Sequence, residues 1–331
     1  MAKDDYVLGI DQSTKALLFD GEGNLISVKS QPHRQIINDL GYVEHSLDEI
    51  AKNVIGTVKA LVDEDPDRAY KIKCAGLSVQ RETVGAWRRS TQRPLYHAVV
   101  WQCPRGAEYV RREEIAGSAQ SIRDVTGLEL SEYFSASKIT WLMDHVPEIK
   151  RAACEHDLCI GNMDAFLVSF LTSGQSFYTE PSNASRTQLM DLKTQQWSPE
   201  LCRLFKVPIE ALPPIIDSDA EFGCSDFAGV LAHKIPLHAA IGDSQGALFG
   251  HGCLKAGQTK TTYGTGSSIM MNAGTKTVSC PHGIVNSAAW RRQGRSVFVL
   301  EGNINYSAGI ISYLKDDLKL ISSAQETEAM A

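Results

Sequence analysis

The chain has 331 residues, 43% hydrophobic and 22% charged, with a formal net charge of −6. It is long enough for two domains with separate cores, and its acidic balance argues against nucleic acid or an anionic membrane as partner. No apolar run approaches the length of a bilayer span. Its eight cysteines form no C-x-x-C pair and its nine histidines no H-x-x-x-H pair, which argues against structural zinc and for free thiols in a reducing cytoplasm. The acidic start, Met1-Ala2-Lys3-Asp4-Asp5, is not that of a signal peptide.

Tyr6-Val7-Leu8-Gly9-Ile10-Asp11 reads as a buried strand ending in a carboxylate. A second strand, Lys15 to Asp20, and a third, Leu25 to Ser30, follow across short turns and make an antiparallel start. Between the first two, a tight two-residue hairpin centred on Ser13-Thr14 has no glycine where positive φ is wanted, so it is either strained or melted at its ends. Ser46-Leu47-Asp48-Glu49 is a capping box, and apolar residues from Ile50 to Val62 at helical spacing predict about four turns of helix. The segment 72–79 is a buried strand leading into Gln80-Arg81-Glu82-Thr83. The order β-β-β-α-β resembles the opening of a ribonuclease-H-like or actin-like domain, an α/β fold.

Further on, residues 99–102 read as a short strand and 107–115 as a charged helix. A helix starts near Tyr133 with Ile139, Leu142 and Met143 on its apolar face, and helices and turns continue to Leu171. Residues 179–186 read as a polar loop, 188–192 as strand-like and 199–205 as a short helix. Ala239-Ala240-Ile241 is an apolar run that ends at Gly242-Asp243 and passes into a helix-like stretch. The pattern turns strand-rich after Gly250-His251-Gly252, which divides the chain into domains 1–252 and 253–331. About twenty residues beyond Asp243 comes Tyr263-Gly264-Thr265-Gly266-Ser267-Ser268, a glycine- and hydroxyl-rich turn between two β-type runs. Bare backbone N–H groups and hydroxyls in such a turn can cradle phosphate, and a strand-end carboxylate can serve as a base. Together they point to phosphoryl transfer.

Several motifs carry a family resemblance, in order along nearly the whole chain. They are Gly9-Ile10-Asp11-Gln12, Gln80-Arg81-Glu82-Thr83, Trp101-Gln102, Asn183-Ala184-Ser185-Arg186-Thr187, Gly242-Asp243 and Tyr263-Gly264-Thr265-Gly266, with Tyr133-x-Ser135-x-x-Lys138-Ile139-x-Trp141-Leu142-x-Asp144-His145 between them. The chain thus resembles the FGGY family of carbohydrate kinases, and within it the glycerol kinases. The resemblance implies a ribonuclease-H-like (actin-like ATPase) substrate-binding domain over 1–252 and a partial second, nucleotide-binding domain of the same type over 253–331. It implies Asp243 as catalytic base. Arg81, Glu82, Trp101, Tyr133, Asp243 and Gln245 would bind substrate, and Asp11, Gln12, Ser13, Thr14, Lys15, Gly264, Thr265 and Gly266 would bind ATP. Mg2+ would lie at Asp11 and Asp243.

Three departures from the family pattern carry further expectations. The phosphate hairpin Asp11-Gln12-Ser13-Thr14-Lys15 is about three residues short, which predicts weakened ATP binding. Family members continue for well over a hundred residues more, so Ile310, Ile311, Leu314 and Leu318 lose packing surface. A homo-oligomer or another partner is expected to cover that face. Ser244 stands where glycerol kinases have a glutamine, and Cys103-Pro104-Arg105-Gly106 differs from the usual basic pair, which widens the substrate class from glycerol to a ketopentose-like sugar. The alternative function is a catalytically impaired relative that binds a small polyol without turnover.

Overall fold

The computed structural model describes residues 5–12, 14–263, 267–304 and 307–330. Its centre is a six-stranded sheet. Strand β1 (Tyr6–Asp11) pairs antiparallel with β2 (Lys15–Asp20), which pairs antiparallel with β3 (Leu25–Ser30). On its other side β1 runs parallel to strand Ile72–Val79, which runs parallel to strand Ile235–Gly242. The two-residue strand Cys224–Ser225 closes that edge. The expected antiparallel start and the α/β, ribonuclease-H-like order are both present.

Helix α1 (Leu47–Glu64) packs along β2 and β3, burying Leu47, Ile50, Val54, Val58 and Leu61 into one core with Leu8, Ile10, Leu18, Leu77 and Val79. Each such side chain contributes roughly 1.5–3 kcal/mol on burial. Ser46 caps the helix by accepting from the Glu49 N–H. The reciprocal half of the capping box is replaced, because the Glu49 carboxylate accepts from Arg34 N instead. At 18 residues the helix is a turn longer than its apolar spacing predicts.

A five-stranded antiparallel sheet combines two strands that precede α1, Gln35–Ile37 and Val43–His45, with three that lie between the second and third parallel strands, and a second core forms around it. One of its strands, Leu158–Asn162, lies where the sequence predicts only helices and turns. All five residues are buried, so no alternation of polar and apolar residues marks it as a strand. The predicted strand 99–102 shrinks to Ala98–Val99, and the charged helix 107–115 breaks into Ala107–Val110 and Glu113–Gly117. The predicted polar loop 179–186 is a buried helical turn, Pro181–Ala184, whose N-cap Glu180 accepts from the backbone of Ser182 and Asn183. The Ser182 hydroxyl and Asn183 Nδ2 both donate to the Glu180 carboxylate, and the turn adjoins strand Val285–Arg292. Beyond helix Asp243–Gly250, four antiparallel strands form a separate sheet in the order Thr259–Tyr263, Ser267–Gly274, Arg295–Ile304, Val285–Arg292.

The hairpin between β1 and β2 differs from the two-residue turn expected. Asp11 pairs with Lys15, so the loop holds three residues, and the left-handed conformation that such loops need falls on Thr14, at φ 74°. Left-handed backbone at a β-branched residue costs roughly 1–3 kcal/mol. Thr14 N donates to Asp11 O at 2.8 Å, and the buried Thr14 hydroxyl donates to Gln31 O. The strand ends stay paired, and the strain is held by these contacts.

Candidate active site

Three parallel strands deliver their C-terminal ends to one edge of the central sheet, where α/β folds bind ligands. Asp11 ends β1, opposite Ser78 in the register, and Gly242 pairs with Val79 just before Asp243. Gln80, Arg81 and Glu82 leave the middle strand between them. Together with Trp101, Tyr133 and the strand ends of the four-stranded sheet, the second sheet of the site, they line a cleft of about 890 Å³.

Glu82 sits at the centre of a γ-turn with φ 53°, and Thr83 N donates to Arg81 O at 2.5 Å. This strained backbone is clamped from outside. The Ser135 hydroxyl donates to Glu82 O at 2.8 Å, and Asn162 Nδ2 donates to Thr83 O at 3.2 Å. The turn sends Arg81 and Glu82 to opposite members of a buried charge network. Arg81 donates through Nη1 and Nη2 to the two oxygens of Glu301 at 2.9 and 3.0 Å, while Arg186 Nε donates to Glu82 Oε1 at 2.5 Å. Arg186 Nη1 lies 2.9 Å from Glu301 Oε2, and its guanidinium stands over the Phe134 ring. All four side chains are buried, which is tolerable because two positive charges balance two negative ones. Burial raises the Glu301 carboxyl, but Arg186 and Arg81 outweigh it and bring the group down to about 2.

Asp243 is the accessible member of the cluster. Its side chain is 50% exposed, its Oδ1 accepts from Ser244 N at 2.6 Å, and Arg81 Nε lies 3.5 Å away. The turn into Asp243 needs glycine before it. A Cβ on Gly242 would stand 2.8 Å from Arg81 Cγ and 2.9 Å from Gln245 Oε1. Gln245 is fully buried behind Arg81, where it donates to Ala288 O at 3.2 Å and accepts from Arg81 Nη1 at 3.5 Å, so it does not line the cleft.

Trp101 and Tyr133 meet edge to face, with ring centroids 5.6 Å apart, and form the aromatic wall. Burial and the Glu82 charge push the Tyr133 phenol well above its ordinary value, so it stays protonated and able to donate. Its loop is pinned by buried Lys138, which donates to the carbonyls of Glu132, Tyr133 (2.7 Å) and Phe134 (3.2 Å). Burial brings that ammonium down to about 8.

At the hairpin expected to bind ATP, Gln12 is buried, donating from its N–H to Ser78 O at 2.8 Å and accepting from Gln80 N at 3.3 Å. Thr14 is buried and Lys15 is exposed. Ser13 and the turn Gly264-Thr265-Gly266 lie outside the described residues. The flanking strands bring Thr262, Ser267 and Ser268 to the cleft, and buried Lys260 donates to Thr262 Oγ1 at 2.6 Å.

The profile of the N-terminal domain of the FGGY family of carbohydrate kinases matches residues 6–250. The chain belongs to that family. It is 40% identical over 329 residues to glycerol kinase 1 of Thermotoga maritima, covering 98% of this chain and 67% of the relative. It is 37% identical to glycerol kinase of Alkaliphilus oremlandii, covering 65% of that protein. The crystal structure of Plasmodium falciparum glycerol kinase with ADP superposes with a TM-score of 0.90 at 34% identity, covering 97% of this chain and 65% of that one. A ligand-bound xylulose kinase of Lactobacillus acidophilus, at 18% identity and TM-score 0.85, shares the fold. This FGGY member thus spans about two thirds of the length of the relatives it matches.

Two residues of its charge network escaped the site residues expected from sequence. Arg186 lies within a family motif, but the motif alone assigns it no partner. Glu301 lies outside every motif. Its signal was a lone acid closing the apolar run Val297-Phe298-Val299-Leu300.

Proposed function

We propose that this chain serves ATP-dependent phosphorylation of a polyol or sugar hydroxyl, glycerol or a ketopentose-like sugar, with Asp243 as general base. The observation that carries this reading is the contrast at the cleft floor, where Asp243 stays half exposed while the neighbouring carboxylates Glu82 and Glu301 are buried and paired. An alcohol hydroxyl holds its proton far above neutral pH, so an accessible carboxylate that accepts it speeds attack by roughly 10²–10⁴. Arg81 beside Asp243 would donate to a substrate oxygen. Tyr133 would donate to another oxygen while Trp101 covers the carbon face. Gln245 would act by holding Arg81 from behind.

Asp11 and Asp243 would hold Mg2+, which supplies charge neutralisation at the phosphate oxygens. Among the described residues no group of three or more His, Cys, Asp or Glu could hold a metal. That fits magnesium, which is commonly held by one or two carboxylates with phosphate and water. Gln12, Thr14 and Lys15, with Ser13 and the turn Gly264-Thr265-Gly266, would face the ATP phosphates.

The proposed division into domains 1–252 and 253–331 is supported by the end of the family match at 250 and the start of the second sheet at Thr259. Exposed Ile310, Tyr313, Leu318 and Leu320 support a partner or second copy on that face. All eight cysteines are free, and no helix among the described residues is long and apolar enough to cross a membrane. Both observations support the cytoplasmic location that we propose.

The test is ADP release in a coupled assay over glycerol, xylulose, ribulose and fucose. Turnover with one or more of these is expected. Polyol binding without turnover would leave binding alone as the function, and neither would sink the reading.

A further inference from the structure

We propose that Glu301 is a positioning residue that fixes the Arg81 guanidinium for the acceptor site, so that the second sheet sets the geometry of a ligand grip built on the first. The inference rests on the proposed function for the identity of the ligand but not for the geometry.

A guanidinium offers two edges for paired contacts, the end formed by its two Nη atoms and the side formed by Nε and one Nη. Glu301 occupies the end, with both oxygens engaged at 2.9 and 3.0 Å. The side edge is thereby turned toward Asp243, 3.5 Å from Nε, at the floor of the cleft. Glu301 is itself held, because the Ser268 hydroxyl donates to Oε1 at 3.3 Å and Arg186 Nη1 stands 2.9 Å from Oε2. Arg186 in turn reaches Glu82. Arg81 and Glu82, adjacent in sequence, are therefore oriented by one chain of charges that passes through strand Arg295–Ile304. Without Glu301 the fork could rotate about its long stem, and its side edge would no longer be aimed at the cleft.

The experiment uses the full chain with Glu301→Gln, Glu301→Asp and Arg81→Ala, singly and with Glu301→Gln combined with Arg81→Ala. Affinity for glycerol and for D-xylulose is read by calorimetry, with folding checked by near-UV circular dichroism. Glu301→Gln is expected to weaken polyol binding about tenfold or more while Mg–ATP affinity changes less than about threefold. Glu301→Asp, which keeps the charge, is expected to recover part of the loss and serves as the readout if the glutamine variant does not fold. Adding Glu301→Gln to Arg81→Ala should weaken binding by much less than it does in the wild type. Unchanged polyol affinity in folded Glu301 variants, or losses that add fully, would overturn the proposal.

A ligand-free readout separates this proposal from the kinase reading. The Arg81 Nε–H resonance, assigned by its loss in Arg81→Lys, should exchange slowly in the wild type and at least tenfold faster in a folded Glu301 variant. If the wild type binds neither polyol the kinase reading fails, and this resonance alone decides the role of Glu301. Equal exchange in wild type and variant would refute it.

Discussion

Two regions of the proposed site are held by different physics, the charge network that lines the cleft and the β1–β2 hairpin, whose described residues do not line it. In the network, Arg81 and Glu82 are fixed by buried ionic partners contributed from far along the chain, with Glu301 separated from Arg81 by 220 residues. The hairpin from Asp11 to Lys15 is held mainly by local backbone bonds and by the Thr14 hydroxyl on Gln31 O. The charge network has little freedom to reorganise, because moving any one charge leaves another buried without a partner. The hairpin stores its constraint as a left-handed Thr14 and can be altered one residue at a time.

Substitutions at four positions sharpen that contrast, in decreasing order of expected effect. Asp243→Asn removes the proposed base and should lower kcat by about 10² or more, with polyol KM changed by less than about fivefold. A proportionate rise in KM would mean that Asp243 chiefly binds. Arg186→Met strands the buried Glu82 carboxylate and leaves Glu301 to Arg81 alone, and urea unfolding should register a loss of about 3–5 kcal/mol. A loss under about 1 kcal/mol would show that the charge network does reorganise.

Asp164→Asn addresses a buried carboxyl outside the charge network, beside the helical turn that carries the Glu180 cap. Burial raises Asp164 to about 7, against which Thr179 Oγ1 donates to it at 2.6 Å. The unfolded group titrates near 3.8. Between those values the native state keeps a proton that the unfolded chain has released, so stability falls as pH rises from about 4 to about 7. Asp164→Asn should flatten that decline and gain about 2 kcal/mol at pH 8, less than the full shift would carry. An unaltered pH profile of the urea midpoint would remove Asp164 from this role.

The hairpin should respond least. Thr14→Val keeps the strain and loses the hydroxyl, for an expected cost of about 1–2 kcal/mol. Thr14→Gly exchanges relief of strain against a lost hydrogen bond and added unfolded-state freedom, and should stay within about 1 kcal/mol of the wild type. A large loss from the glycine variant would place the hairpin on the same footing as the charge network.

Much of the framework was legible locally. A short apolar run ending in a carboxylate located β1 and Asp11. A serine cap and apolar spacing located α1, and the break after an apolar run located Asp243. Each of these features is encoded within a few residues, by the period of side chains or by a capping geometry. The fully buried strand Leu158–Asn162 and the helical turn Pro181–Ala184 were not legible, since burial on all sides erases the periodic signal and internal partners make polar residues look solvent-facing.

By itself the sequence determined which residues could do chemistry and, through the order of its motifs, the family to which they belong. Only the tertiary structure decided how they are paired. It placed Gln245 behind Arg81, left Asp243 open and joined Arg81 to Glu301 across two sheets. The reason is that spacing along a chain carries no record of which distant charge will be brought within 3 Å of another when both lose their water. That choice is made by the packing of whole elements, here the second sheet laid against the ends of three parallel strands.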